Sequence, residues 1–168
     1  MPGKIPAKVD YIKPLPDRPY SEVVAEKEGY HQEVKKSLIG IVGQDRVKDD
    51  HGTVSRYSGD TGIHPAGRPS FVVLPENVQQ LRELVAYANE IRLPVVPASS
   101  GTHMYGAAMP RMGGMVVDLS GWKKIHRIDY RNRAVRIDPG VTYDQLQEEL
   151  EKQGLRALMP LLPRRDQS

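Results

Sequence analysis

The segment PVVPASSGTHMYGAAMPRMGGMVVDLSG, residues 94–121, decides the fold class of this chain. A short apolar run over 94–97 leads into small residues, and a second apolar run over 115–119 follows them. Small residues between two strands let the backbone approach a ligand closely, and consecutive free N–H groups there can bind a phosphate. The segment therefore predicts a phosphate-binding loop between two strands. A tight connection without a ligand is the alternative interpretation.

The residues before this loop predict a strand, a helix and a second strand. The apolar run over 71–74 is typical of a strand, and Asn77 with Gln80 three residues later is a helix start signal. Apolar residues then recur at helical spacing, which predicts one amphipathic helix over 77–91. Pro94 ends it. The loop should therefore begin at the carboxyl end of a strand, where α/β sheets commonly bind ligands.

The residues after the loop predict two further strands and a helix. Polar and apolar residues alternate over 123–129 and 133–138, as in strands joined by a short turn. Thr142 and Gln145 have the spacing of a capping box, which predicts a helix over 143–153. The fold class expected is α+β, a small mixed sheet flanked by helices.

The amino-terminal part has a different composition. Five prolines lie within residues 1–20, which favours an extended arm, either a disordered tail or a strap on a partner. Helix-forming stretches follow over 21–42, with Gly43 placed to end a helix. We therefore divide the chain into an arm with a lead-in helix, residues 1–33, and a main domain, residues 34–168.

Composition excludes several classes of site. The chain has no cysteine, so it can form no disulfide, thiolate metal site or cysteinyl flavin link. Its net charge of +3 comes from 24 basic and 21 acidic residues spread along the chain, which is weak support for nucleic-acid binding. The sequence has neither a signal-peptide pattern nor an apolar run long enough to span a bilayer, so a cytoplasmic location is expected.

Several segments together carry a family resemblance. The order of small residues over 97–103, followed by Tyr-Gly-Ala-Ala at 105–108, resembles the pyrophosphate loop of the vanillyl-alcohol oxidase / p-cresol methylhydroxylase superfamily of FAD-linked oxidoreductases. Ile-Val-Gly-x-Asp-x-Val at 41–47 and Tyr-Ser-x-Asp at 57–60 resemble the start of its glycolate oxidase and D-lactate dehydrogenase branch. Pro-Gly-Val at 139–141 matches the segment beside the adenine and ribose in that family. The resemblance implies the first subdomain of the PCMH-type FAD-binding fold.

The resemblance also implies a set of cofactor-binding residues. The backbone of residues 98–103 would wrap the FAD pyrophosphate, which needs aligned N–H donors where no arginine cluster is present. The predicted cofactor-binding residues are Pro97, Ala98, Ser99, Ser100, Gly101, Thr102, His103, Tyr105, Gly106, Pro139, Gly140 and Val141. The sequence identifies no catalytic residue and no metal site.

The resemblance further indicates how the flavin is attached. Some members of the family tether the flavin to a histidine in a Gly-Gly-His pattern. Aligned on Gly101, the tethering position holds Thr102, and His103 lies one residue later. The prediction is noncovalent FAD.

The function implied is the FAD-binding portion or subunit of an oxidoreductase acting on an alcohol, a 2-hydroxy acid or a substituted phenol. The alternative is a scaffold or interaction subunit that keeps the fold without the cofactor. The resemblance covers roughly residues 35–160, the amino-terminal part of the family's flavin domain. We therefore expect a split subunit or a truncated product, inactive alone, and a second polypeptide that completes the flavin and substrate domains.

Overall fold

A computed structural model describes residues 20, 22, 29–59, 66–99 and 106–158 of the 168-residue chain. The elements in these ranges, in chain order, are α1 (Tyr30–Val42), a 3-10 turn (Gln44–Arg46), β1 (Val47–Lys48), α2 (His51–Arg56), β2 (Phe71–Val73), α3 (Val78–Ile91), β3 (Val95–Ala98), β4 (Met115–Asp118), β5 (Ile125–Asp129), β6 (Ala134–Ile137) and α4 (Tyr143–Glu151). No helix among the described residues is both long enough and apolar enough to cross a membrane.

The main sheet has four strands in the order β1-β2-β4-β3, with β1 antiparallel and the other three parallel. Val116 at the middle of β4 is in register with Val72 on one side and Val96 on the other. Because β3 and β4 are parallel neighbours, the connection over residues 99–114 must return from the carboxyl end to the amino end of the sheet. The predicted phosphate loop therefore starts at the carboxyl edge, as the sequence indicated.

One face of this sheet packs against α1 and α3. Phe71, Met115 and Val117 are buried on it, together with Leu38 of α1 and Leu84 of α3. By strand alternation the other face carries Val72, Val116 and Asp118, and α2 packs against β2. The main core thus lies between the sheet and two helices.

The chain returns to the sheet through a glycine that no other residue can replace without strain. Gly114, directly before β4, has φ +81°, and a Cβ at this position would lie 2.3 Å from the carbonyl oxygen of Pro94. Both the left-handed backbone and this close approach require glycine. Residues 113–114 thereby hold the end of the β3–β4 connection, hereafter the crossover (residues 99–114), against the start of β3.

A second unit consists of the β5–β6 hairpin and α4. The two strands are antiparallel, with an irregularity between Ile125 and Arg127, and Val141, Leu146 and Leu150 form a small separate core. Every residue of β6 is exposed. The mixed sheet flanked by helices confirms the predicted α+β class.

The capping signals predicted two helix starts correctly. Asn77 Oδ1 accepts a hydrogen bond from the Gln80 N–H (2.9 Å), and the side chains and backbones of Thr142 and Gln145 form the reciprocal capping box. α4 ends at Glu151, two residues earlier than predicted. Capping is readable because both partners are close in sequence.

The amino-terminal elements differ in detail from the prediction. α1 begins at Tyr30, so the predicted domain boundary at residues 33 and 34 falls inside this helix. Residues 1–19 of the predicted arm lie outside the described residues. Tyr20 is buried in the main core, and its backbone N–H donates to the Met112 carbonyl oxygen (2.8 Å). The arm is therefore attached to the core at its carboxyl end.

Candidate functional site

The start of the predicted phosphate loop lies at the carboxyl edge of two parallel strands. Ala98, the last residue of β3, is in register with Asp118, the last residue of β4. The Ala98 carbonyl oxygen accepts a hydrogen bond from the Leu119 N–H (2.8 Å), which extends the pairing beyond the strands. Pro97 and Ala98 belong to the edge strand, and Ser99 follows them. This edge has the position expected for a ligand site.

The central residues of the predicted loop lie outside the described residues. They are Ser100, Gly101, Thr102, His103 and Tyr105. The description resumes at Gly106, which has φ +72° and is partly buried. Both ends of the loop are therefore described, and its middle stays a prediction.

The return path of the crossover is fixed by close backbone contacts. Met109 and Pro110 are buried. A Cβ on Gly67 would lie 2.6 Å from the Pro110 carbonyl oxygen, so the segment before β2 and the crossover touch through their backbones. The Gly67 N–H donates to the Ser58 carbonyl oxygen (2.8 Å). The crossover is thus tied to the segment that follows α2.

The Pro-Gly-Val turn packs against the turn that follows β4. The Gly140 N–H donates to the Trp122 carbonyl oxygen (2.8 Å), and a Cβ on Gly140 would lie 2.3 Å from the Ser120 carbonyl oxygen. The Val141 N–H donates to the Asp138 carbonyl oxygen (3.2 Å). These two N–H groups therefore serve the fold and are not free to donate to a cofactor, and Pro139 between Asp138 and Gly140 is exposed.

The turn over residues 119–122 connects the two predicted parts of the site. Its first residue, Leu119, bonds to Ala98, and its later residues Ser120 and Trp122 contact Gly140. The Trp122 indole N–H also donates to the Pro75 carbonyl oxygen (2.7 Å). The structure thereby brings the start of the phosphate loop and the Pro-Gly-Val turn to opposite ends of one short segment.

A partly buried tyrosine is paired with a buried aspartate beneath this edge. The Tyr57 hydroxyl donates to Asp118 Oδ2 (2.5 Å), and the Ser120 N–H donates to Asp118 Oδ1 (2.8 Å). Burial and the hydrogen bond to Asp118 raise the pKa of Tyr57, so its hydroxyl stays protonated. The sequence prediction did not include Tyr57. Two features of the sequence could have pointed to this pair: the Tyr-Ser-x-Asp segment at 57–60 and the carboxylate of Asp118 at the end of an apolar strand.

A second charged contact supports the Pro-Gly-Val turn. His126 Nε2–H donates to Asp138 Oδ1 (2.6 Å), and the Lys124 N–H donates to Oδ2 of the same carboxylate (3.1 Å). The hydrogen bond from His126, together with that from Lys124, holds the pKa of Asp138 below its usual range. Asp138 directly precedes Pro139, and its carboxylate therefore ties the start of the Pro-Gly-Val turn to His126 of β5 and to Lys124 just before that strand.

We expect Asp138→Asn to reduce the acid sensitivity of folding. Because the folded-state pKa of Asp138 is lowered, its carboxylate stabilises the fold above the unfolded pKa, about 3.9. That stabilisation is lost as pH falls through the lower, folded-state pKa. Urea unfolding measured from neutral to acid pH should show a shallower decrease in the free energy of unfolding below about pH 4 in the variant. Identical slopes in both proteins would contradict the role given to this contact.

The described residues fit a diphosphate-bearing cofactor. Small side chains flank the loop at Ala98, Ser99, Ala107 and Ala108, so backbone donors there can approach a ligand closely. Asp118, the register partner of Ala98, is buried, and its carboxylate already accepts two hydrogen bonds. Within the described ranges, no group of three histidine, cysteine or acidic side chains could hold a metal ion.

Curated relatives of the chain are, by name, an oxidase subunit and a dehydrogenase. Glycolate oxidase subunit GlcD of Bacillus subtilis is 29% identical over 124 residues, which are 74% of this chain and 26% of that protein. D-2-hydroxyglutarate dehydrogenase of Stutzerimonas stutzeri is 30% identical over 70% of this chain and 25% of its own length. The chain spans about a quarter of the length of the curated relatives that it matches.

The fold is also similar to that of solved structures. p-Cresol methylhydroxylase with bound substrate has a TM-score of 0.68 and 26% identity, with 77% of this chain and 26% of that chain covered. 4-Ethylphenol oxidase of Gulosibacter chungangensis, at 23% identity and a TM-score of 0.67 over 84% of this chain and 27% of its own, shares the fold. The mixed sheet flanked by helices is thus a fold that the chain shares with these two enzymes.

The model of one family matches more than half of the chain. It is described as FAD binding domain, and the match extends over residues 69–162. The chain belongs to this FAD-binding domain family. The matched region includes β2 to α4 and therefore both the predicted phosphate loop and the Pro-Gly-Val turn.

Proposed function

We propose that this chain is the FAD-binding portion of a flavin-dependent oxidoreductase that acts on an alcohol, a 2-hydroxy acid or a substituted phenol. One observation carries the proposal: a sequence of small residues begins at the carboxyl end of β3, which is paired in parallel with β4. This connection lies within the region that the family model matches, and its last part, residues 106–114, is described up to the start of β4. When bound, the flavin would accept a hydride equivalent from the substrate carbon.

Residues of two segments would hold the cofactor noncovalently. Residues 98–103 would surround the diphosphate chiefly through backbone N–H groups, with Pro97, Tyr105 and Gly106 beside them, and residues 139–141 would lie toward the adenine and ribose. The support is the position of Ala98 at the sheet edge and the connection from Leu119 to Gly140. In this proposal residues 34–168 form the amino-terminal part of the flavin domain, and residues 1–33 form the arm that leads into it through α1.

The substrate class is supported by what the relatives act on according to their names. Glycolate, D-lactate and D-2-hydroxyglutarate are 2-hydroxy acids, and p-cresol is a substituted phenol. The chain corresponds to about a quarter of each relative, so substrate-contacting groups would come from the part of the enzyme beyond this quarter. A cytoplasmic location is part of the same proposal.

The visible spectrum of the protein purified with its natural partner tests this function. Flavin absorption is the expected result. A colourless complex would contradict the proposal and support the scaffold alternative. Acid precipitation then tests the attachment: flavin should stay in the supernatant, since Thr102 occupies the tethering position. Yellow colour in the pellet would identify His103 as the tether.

A partner polypeptide that completes the flavin and substrate domains is the second part of the proposal. A mainly apolar cavity of about 410 Å³ lies between the β5–β6 hairpin and α4; its lining includes Ile128, Val135, Leu146 and Leu150, together with the charged residues Asp129, Arg133 and Arg156. Val135 remains 39% exposed. An open apolar cavity beside an exposed strand is a typical contact surface for another polypeptide.

We expect Val135→Asp to prevent association with the polypeptide encoded directly downstream. A carboxylate in this apolar cavity would have to be desolvated on binding, which is costly. The measurement is size-exclusion chromatography of the co-expressed pair. Val85→Asp is the matched control, because Val85 is similarly exposed (48%) but lies on α3, outside the cavity. Loss of association in both variants or in neither would contradict this assignment, as would a wild-type chain that stays alone.

A further inference from the structure

The β5–β6 hairpin carries a local excess of positive charge. Residues 123–137 contain six basic residues and one acidic residue, whereas the whole chain has a net charge of only +3. The remainder of the chain is therefore slightly acidic. All six basic side chains are exposed, and together they are called the basic hairpin surface: Lys123, Lys124, Arg127, Arg131, Arg133 and Arg136.

Within the described residues, little of this charge is compensated. The one ion pair that the basic hairpin surface makes there joins Arg127 to Asp129 (2.6 Å), and the Arg127 side chain remains 71% exposed. Arg136 lies directly opposite Arg127 in the strand register. Like charges in opposite positions of an antiparallel pair destabilise it. The hairpin therefore bears a cost that a negative charge on a neighbouring molecule would remove.

Strand alternation separates these two arginines from the cavity beside α4. Ile128 and Val135 are register partners, and both line that cavity. Because successive side chains of a strand point to opposite faces, Arg127 and Arg136 lie on the face turned away from α4. β6 is exposed along its whole length. The unit thus offers a mainly apolar surface on one face of the hairpin and a cationic surface on the other.

We propose that the basic hairpin surface binds an acidic segment of the polypeptide that completes the flavin and substrate domains. The inference rests on the proposed function, and it adds the chemistry of the partner at this contact. Asp and Glu side chains of the partner would lie against Arg127, Arg136 and the arginines of the hairpin turn.

The surroundings of the basic hairpin surface favour a polypeptide over other anionic partners. The chain corresponds to about a quarter of its curated relatives, so in the proposed enzyme a larger polypeptide has to lie against it. Exposed apolar side chains border the charges, since Tyr130 is 68% exposed and Ile137 is 37% exposed. Arginine and tyrosine are enriched at protein–protein interfaces, where complementary charges fix the orientation of the partners.

Charge reversal on the hairpin tests the proposal. The double variant Arg131→Glu, Arg136→Glu should bind the partner polypeptide about tenfold more weakly than wild type at low salt, because two attractive contacts become repulsive. Raising the salt concentration should weaken the wild-type complex more than the variant complex. Isothermal titration calorimetry at low and high salt measures both effects. Wild-type affinity in the double variant would overturn the proposal.

The double variant Lys36→Glu, Arg82→Glu is the matched control. Both residues are exposed, Lys36 on α1 and Arg82 on α3, and the two substitutions change the net charge by the same amount. Affinity for the partner should be unchanged. An equal loss in both double variants would mean that net charge alone controls the association, against the proposal.

The stability of the chain alone separates partner binding from support of the fold. Arg136→Glu places a negative charge opposite Arg127, so the urea midpoint should be no lower than that of wild type, while partner affinity falls. A side chain that only supported the hairpin would lose stability and affinity together. A lower midpoint in Arg136→Glu would therefore count against the proposal.

A partner-free measurement keeps the inference separate from the proposed function. If the wild-type chain does not associate with the polypeptide encoded downstream, that partner assignment fails, and titration with fluorescently labelled poly-L-glutamate then decides the chemistry of the surface. Poly-L-glutamate should bind wild type and the Lys36→Glu, Arg82→Glu control but not the hairpin double variant. No binding to wild type, or tighter binding of a DNA duplex or of phosphatidylglycerol vesicles at physiological salt, would overturn the proposal.

Discussion

Gly101→Val should abolish FAD retention while leaving the fold intact. Gly101 lies at the centre of the small-residue segment, where a side chain would stand between the backbone N–H groups and the diphosphate. Its structural surroundings are outside the described residues, so the expectation rests on the sequence pattern and on the sheet-edge position of Ala98. The measurement is the flavin content of the purified complex, with urea unfolding as the check on stability.

His103→Ala is the control for this prediction. It changes a larger side chain in the same loop, but backbone donors rather than the imidazole are expected to hold the diphosphate. Most of the flavin should therefore remain. Retention of flavin in Gly101→Val, or its complete loss in His103→Ala, would mean that the loop does not bind the cofactor through its main chain.

Gly140→Ala should destabilise the protein by about 3 kcal/mol or more. A single added Cβ would lie 2.3 Å from the Ser120 carbonyl oxygen and 2.7 Å from the Trp122 carbonyl oxygen. Both contacts are to backbone, so relief requires the two turns to separate, which also breaks the hydrogen bond from the Gly140 N–H to Trp122. FAD binding should fall with stability, because this contact joins the Pro-Gly-Val turn to the main sheet.

Gly121→Ala is the matched control for this effect. Gly121 lies in the turn that Gly140 contacts, and an added Cβ there would meet nothing within 4 Å. The free energy of unfolding should stay within about 0.5 kcal/mol of wild type. Equal destabilisation by both variants, measured by urea denaturation, would show that the turn tolerates no side chain and that close approach at Gly140 is not the cause.

Local signals explain why much of the fold could be predicted from the sequence. The capping residues Asn77 and Thr142 bond to N–H groups three residues away, so their spacing is visible in the chain itself. β1 was missed because it has two residues and exists through pairing of Val47 with Val73, far along the chain. α2 was missed as well, although Asp50 caps it by accepting the Thr53 N–H.

The order of the strands within the sheet could not be predicted from the sequence and comes from the structure. β4 lies between β2 and β3, although it follows both in sequence. Hydrophobic periodicity predicts that a segment is a strand, but it carries no information about the neighbour with which the strand pairs. The parallel pairing of β3 with β4 is what places the start of the predicted loop at the carboxyl edge.

The candidate site was partly predictable for the same reason. Its loop and its Pro-Gly-Val turn are short contiguous motifs, and the sequence shows both. Tyr57 and Asp118 are 61 residues apart and meet only through the packing of α2 on the sheet. The structural need for glycine at position 140 also comes from a distant partner, Ser120, so the sequence could show only that a turn was present.

Competition for FAD binding is the most direct test of the central claim, that this chain forms the diphosphate and adenine side of a flavin site. The measurement is an equilibrium titration of the protein with FAD in the presence of ADP or of riboflavin. ADP shares the diphosphate and adenosine of FAD and should displace it, whereas riboflavin, which has neither, should not. Displacement by riboflavin but not by ADP, or no FAD binding at all, would contradict the claim.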